Sequence, residues 1–109
     1  MYHSAVPFEN AYQRASHFAK HGADCGAADE AAYEAMADAF LTGPMNATTN
    51  ECTRPNRVDY LRFDSVSFHF GVFCVPGVFV RTLYPVNRAY VARRGGPARF
   101  FTYECTRRM

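Results

Sequence analysis

The chain has 109 residues and a mass of 12.3 kDa, enough for one compact domain and too few for two separate cores. Hydrophobic residues make up 49%, aromatic residues 16% and charged residues 20%, which excludes a disordered tail or a fibrous repeat. Net charge is only +2. The first fifty residues nevertheless carry Arg14 and Lys20 against six carboxylates, whereas the remainder carries ten arginines against Glu51, Asp59, Asp64 and Glu104. The second part therefore has the charge of a surface that faces phosphates or an acidic protein.

No apolar run reaches the ~18 to 20 residues of a membrane-spanning helix, and the start lacks the basic-then-apolar pattern of a signal peptide. The chain is thus expected to have no membrane partner and no export signal of its own. Asn10, with Gln13 three residues on, marks the start of a first helix that ends at His21 and Gly22. Its small-residue stripe, Ala11, Ala15, Phe18 and Gly22, is the face expected to lie on a sheet. Asp29 caps a second helix, whose inner face is Tyr33, Met36, Ala37, Phe40 and Leu41, and Gly43-Pro44 ends it.

Beyond Pro44, aromatic and β-branched runs alternate with turn residues. Strands are expected at 51–54, 57–64, 67–75, 78–84 and 100–106, with hairpin turns at Pro55-Asn56 and Pro76-Gly77. The link 85–97 reads as a mobile loop or a short extra hairpin. Helices followed by strands predict an α+β domain, with two helices on one face of a four- to five-stranded antiparallel sheet.

Cys25, Cys52, Cys74 and Cys105 form no CxxC pair, so a zinc ribbon or redox motif is not indicated. Reduced thiols are expected, with Cys74 buried as a small hydrophobe. The densest polar group is His17, Lys20 and His21. On a helix, positions 17 and 21 lie about 40° apart and position 20 about 60° to the other side. This edge is expected to lie opposite the Ala15/Phe18 stripe. Two imidazoles can supply a base and an acid near neutral pH, and the nearby cation favours their neutral forms. The spacing of His17, His21 and Cys25 also admits a metal site, although Gly22 interrupts the helix before Cys25. In the strand around Arg81, strict alternation puts Val78, Val80 and Thr82 on one side and Phe79, Arg81 and Leu83 on the other. Arg81 and Thr82 can ligate a phosphate through a guanidinium and a hydroxyl.

The ordered pieces His17-Phe18-Ala19-Lys20-His21-Gly22, Asp24-Cys25-Gly26-Ala27, Tyr33 to Phe40, Phe70-Gly71-Val72, Gly77 to Thr82 and Pro85 resemble the barnase/EndoU/colicin/RelE-like (BECR) ribonuclease toxins. The likeness is to the C-terminal toxin domains of contact-dependent growth inhibition and polymorphic toxin systems. The stretch from Arg99 to Cys105 resembles their closing strand, and the resemblance spans residues 12–105. It implies a metal-independent endoribonuclease, acting on tRNA, with no cofactor. In that reaction a 2′-hydroxyl attacks the adjacent phosphorus and leaves 2′,3′-cyclic phosphate and 5′-hydroxyl ends. The implied site has His21 as leading acid or base and His17 as its partner. Lys20 and Arg81 ligate the phosphate, Thr82 donates to it, and Tyr103 stacks on a base or relays a proton. Arg54, Arg57, Arg93 and Arg94 would hold the RNA backbone. The resemblance also implies a cognate immunity protein and delivery into the cytoplasm of a target bacterial cell. A non-catalytic RNA-binding or protein-interaction module on the same fold is the alternative.

Overall fold

The computed structural model describes residues 6–108. Two helices, α1 (Ala11–His21) and α2 (Glu30–Thr42), precede four strands, β1 (Thr49–Thr53), β2 (Asp59–Asp64), β3 (His69–Cys74) and β4 (Phe79–Pro85). Two further helices follow, α3 (Arg88–Arg93) and α4 (Pro97–Thr106). The sheet is an antiparallel meander in the order β1-β2-β3-β4. The α+β class, the N-terminal helix pair and both hairpin turns match expectation. Among the described residues no helix is long and apolar enough to cross a membrane.

Local chemistry sets the helix ends. Asn10 Oδ1 accepts from the Gln13 N–H at 2.8 Å, and Asp29 Oδ1 accepts from the Ala32 N–H at 2.7 Å. Each satisfies one of the amides that a helix start leaves without a partner. Along α2, Tyr33, Ala37 and Leu41 are buried, with Met36 and Phe40 packed beside them. The helix sits close to the sheet because β3 presents Gly71. A Cβ there would lie 3.0 Å from Leu41 Cδ2 and 3.2 Å from Phe40 Cδ2.

Two expectations fail at the C-terminal end. The stretch 100–106 is helical rather than a fifth strand, and 85–97 contains α3 rather than a loop or hairpin. Asn87 Oδ1 caps α3 by accepting from the Tyr90 N–H at 3.0 Å. Gly96, at φ +100°, makes the left-handed turn into α4, and Pro97 occupies its first turn. The aromatic run suggested a strand, but Phe100 and Glu104 lie one helical turn apart and are both buried. A helical period buries them together, so packing overrides β propensity.

The sheet is therefore covered on both faces rather than one. Phe8, Cys25, Tyr33, Ala37, Leu41, Val80 and Leu83 form the core beneath α1 and α2. Leu61, Phe63, Phe68, Phe70, Val72, Val86, Val91 and Phe100 form the core beneath α3 and α4. Phe63 meets Phe68 and Phe100 edge-on at 5.5 and 5.1 Å between ring centres. Cys74 is a free buried thiol, as expected, but Cys52 and Cys105 form a disulfide joining β1 to α4. Reduced thiols at these two positions were the wrong expectation. The pairing depends on α4 folding back beside β1, a contact across 53 residues that spacing does not reveal.

Candidate active site

Helix α1 keeps Phe18 and Gly22 on its inner face, as expected, but is rotated so that His17 and His21 take the place expected for the alanines. Ala11 and Ala15 are exposed, whereas His17, Phe18, His21 and Gly22 turn towards the protein. The reason is a ladder of rings. Phe8 joins the edge of β4 through a parallel bridge to Val80, with the Val80 N–H donating to Pro7 O at 2.8 Å. His17 then stacks on Phe8 at 5.5 Å, and His21 stacks on Tyr84 at 4.9 Å. Flat imidazoles gain more from these ring faces than alanine methyls do.

Strand β4 also departs from strict alternation. Val72 pairs with Thr82 while Phe73 pairs with Val80, so Arg81 is the extra residue of a β-bulge. The bulge brings Val80 and Leu83 into the same core and turns both Arg81 and Thr82 to the opposite side. There they line a cleft of about 470 Å³ together with His17, Asn56, Tyr84 and Arg107. Helix α1, the bulge, the β1–β2 turn and the end of α4 thus meet around one hollow.

Its floor is an alternating chain of charges. Arg81 Nε lies 2.8 Å from Asp59 Oδ1, and Asp59 Oδ2 lies 3.3 Å from Arg54 Nη1. Arg54 continues to Glu104 through Nη2 to Oε1 at 2.9 Å and Nε to the backbone oxygen at 2.8 Å. Arg107 Nη1 closes the chain on Glu104 at 3.2 Å. Three guanidiniums against two carboxylates leave the floor with one excess positive charge. Arg81 has the most accessible side chain of the set, 45% exposed. Its Nη atoms carry no bond to any described residue, and neither does the Thr82 hydroxyl. Both are available to an anion.

Burial lowers the His17 pKa, and the His21 and Lys20 charges lower it further. The His21 pKa is also lowered, by burial and Lys20 against the opposing pull of Asp24. Both imidazoles are therefore held in the neutral, proton-accepting form at neutral pH. His17 Nδ1 is buried and has no hydrogen-bond partner among the described residues.

The expected site divides. His17, Arg81 and Thr82 come together, with His21 beside them through Tyr84 and a centroid distance of 6.1 Å to His17. Lys20 is exposed on the outer side of α1 and acts on the imidazoles through its charge. Tyr103 stands apart from the cleft on α4, where the Arg94 guanidinium lies 4.0 Å and that of Arg107 5.5 Å from its ring centre. Arg54 is buried in the floor and committed to Asp59 and Glu104, so it is no surface ligand for an RNA backbone. Arg57, Arg93 and Arg94 are exposed.

Tyr84, Asp59, Glu104 and Arg107 were missed. Only Tyr84 had a local signal, two residues beyond Thr82 on the same strand. The metal alternative is not assembled, because Cys25 is buried in the core under α2 with Sγ 3.9 Å from Leu83 O. No group of three or more His, Cys, Asp or Glu among the described residues is placed to hold a metal ion. No protein-family model matches the chain, and no curated protein sequence does either.

Proposed function

We propose that this domain is a metal-independent endoribonuclease of toxin type, acting on RNA, tRNA first among the candidates. The observation that carries the reading is the convergence of His17, Arg81 and Thr82 on one cleft. That set supplies what transesterification needs and what a passive binder does not: a neutral base beside an accessible cation and a hydroxyl donor.

His17 takes the proton of the 2′-hydroxyl, whose oxygen attacks the adjacent phosphorus. The bond from phosphorus to the 5′-oxygen breaks as that oxygen receives a proton from imidazolium. That imidazolium is His17's own, formed in the first step, because His17 is the imidazole that lines the cleft; His21, expected from sequence to lead as acid or base, lies behind it at a centroid distance of 6.1 Å. Arg81 and Thr82 hold the charge that builds on the phosphoryl oxygens. The nucleophile belongs to the substrate, so DNA is not cut. Arg57, Arg93 and Arg94 hold flanking phosphates, with an affinity that falls as salt rises. A ribonuclease harms the cell that makes it, so an immunity protein with an acidic surface completes the reading, as does delivery into a target bacterial cell.

The test is incubation of purified domain with total tRNA in EDTA, with the product ends mapped. Cleavage to 2′,3′-cyclic phosphate and 5′-hydroxyl ends is expected. His17→Ala should lower the rate by about 10² to 10⁴ while leaving the circular dichroism spectrum unchanged. Binding of tRNA without cleavage by the unmodified protein would replace this reading with that of a non-catalytic module.

A further inference from the structure

Arg81 is the cation on which the proposed reaction places its charge, yet its strand alone does not aim it. As the extra residue of the bulge it stands outside the β3–β4 register, and its side chain is 45% exposed. A long side chain so exposed has many rotamers, and fixing one costs entropy. Among the described residues two groups stand against its guanidinium, the Phe79 ring at 5.5 Å and Asp59 Oδ1, 2.8 Å from Nε.

Asp59, by contrast, is fixed. Its side chain is only 8% exposed, and its two oxygens have different tasks. Oδ2 accepts from Asn56 Nδ2 at 3.1 Å and from Arg54 Nη1 at 3.3 Å. Asn56 Oδ1 in turn accepts from the Val58 and Asp59 N–H groups, at 2.9 and 3.1 Å, so the β1–β2 turn closes on the carboxylate. Oδ1 is buried and accepts no hydrogen bond from a described residue. The Nε–H of Arg81 is near this oxygen but not aimed at it, so charge attraction alone joins the two. We infer that Asp59 is a positioning residue for the anion site: it draws in the Nε edge of Arg81 and so turns the Nη edge towards the phosphodiester beside His17 and Thr82. The inference rests on the nuclease reading and adds to it the buried carboxylate that sets the direction of its cation.

A second property of Asp59 makes the role testable by sign. Its own negative charge repels any anion in the cleft, so removing that charge tightens anion binding unless the lost aim of Arg81 outweighs it. In Asp59→Asn the amide has one oxygen for donors on two sides. Arg54 and Asn56 both donate on the Oδ2 side, so the oxygen faces them and the NH2 group turns to Arg81. The floor keeps its bonds, and Arg81 loses its partner.

The experiment measures binding of a dinucleoside monophosphate whose 2′-hydroxyl is replaced by hydrogen, so that it is not cut. Asp59→Asn is expected to weaken binding about tenfold, as the loss of one of two coupled groups does. In an Arg81→Gln background the same change should cause no further loss. Arg81→Lys keeps Asp59 and the floor intact but has no second edge to present, and should bind as weakly as Arg81→Gln. This arm stands even if Asp59→Asn fails to fold. Unchanged or tighter binding by a folded Asp59→Asn, an equal loss in both backgrounds, full affinity in Arg81→Lys, or no measurable binding by the unsubstituted domain each overturn the positioning role. Cleavage of the matching ribodinucleotide separates the two readings. The coupling without cleavage overturns the nuclease and leaves the positioning role, whereas cleavage without the coupling does the reverse.

Discussion

Arg54 shows how far a residue's role depends on neighbours distant in sequence. Beside Pro55-Asn56 it reads as an exposed turn arginine, yet it is only 5% exposed and joins Asp59 to Glu104, fifty positions away. Removing it leaves two buried carboxylates without their shared cation. Arg54→Ala is therefore expected to cost about 3 to 5 kcal/mol in urea unfolding, far more than the ~0.5 kcal/mol typical of a surface arginine. A loss below 1 kcal/mol would show that water can replace it. The imidazoles give a second residue-level prediction. Their pKa values in the folded state lie below the ordinary 6.5, so below that pH the unfolded chain binds more protons than the folded one. Their contribution to stability is complete above pH 6.5 and is lost as pH falls through the folded values. His17→Gln should flatten the decline in melting temperature below pH 6.5. An unchanged slope would mean that His17 ionises as freely in the fold as out of it.

Among the elements, those built from local signals were legible. The caps at Asn10 and Asp29, the inner face of α2 and both hairpins follow from neighbours within a turn or two. The bulge at Arg81 was not, because it arises from the mismatch between β3 and β4 and has no glycine or proline to announce it. It is nevertheless the feature that brings Arg81 and Thr82 to the cleft, so the right pair was chosen while strict alternation kept its members apart. The face of α1 was read half correctly, with Phe18 and Gly22 inward but the histidines placed outside, for a related reason: the rings that turn the histidines inward, Phe8 and Tyr84, come from outside the helix. The close approach of α2 to β3 gives a test at this scale. Gly71→Val adds a side chain against Leu41 and Phe40 and is expected to cost about 1 to 3 kcal/mol. A melting temperature equal to the unsubstituted protein's would show that α2 can move away without loss.

Taken as a whole, the molecule separates its charge as the sequence does, with the acidic residues concentrated before β1 and the basic ones after it. The α+β class was readable from the order of helical and strand patterns. The second helical layer was not, because Phe100, Phe101 and Tyr103 favour a strand until the sheet face beneath them is known. That layer is secured covalently. Closing a loop of 53 residues restricts the unfolded chain, and the loop-entropy relation puts the effect of the Cys52–Cys105 bond at about 4 kcal/mol. Cys52→Ala with Cys105→Ala should lower the urea midpoint accordingly. A change under 1 kcal/mol would mean that α4 docks as firmly without its tether.

The same bond limits how far the polypeptide can be drawn out by its ends. Everything between the two sulfurs is shielded from tension, so an oxidised molecule pulled in an optical trap should fall short of its full contour by roughly 180 Å, at ~3.4 Å per residue over the 53-residue span. Adding dithiothreitol during the pull should release that hidden length in one step, and any passage through a pore one strand wide requires this opening first.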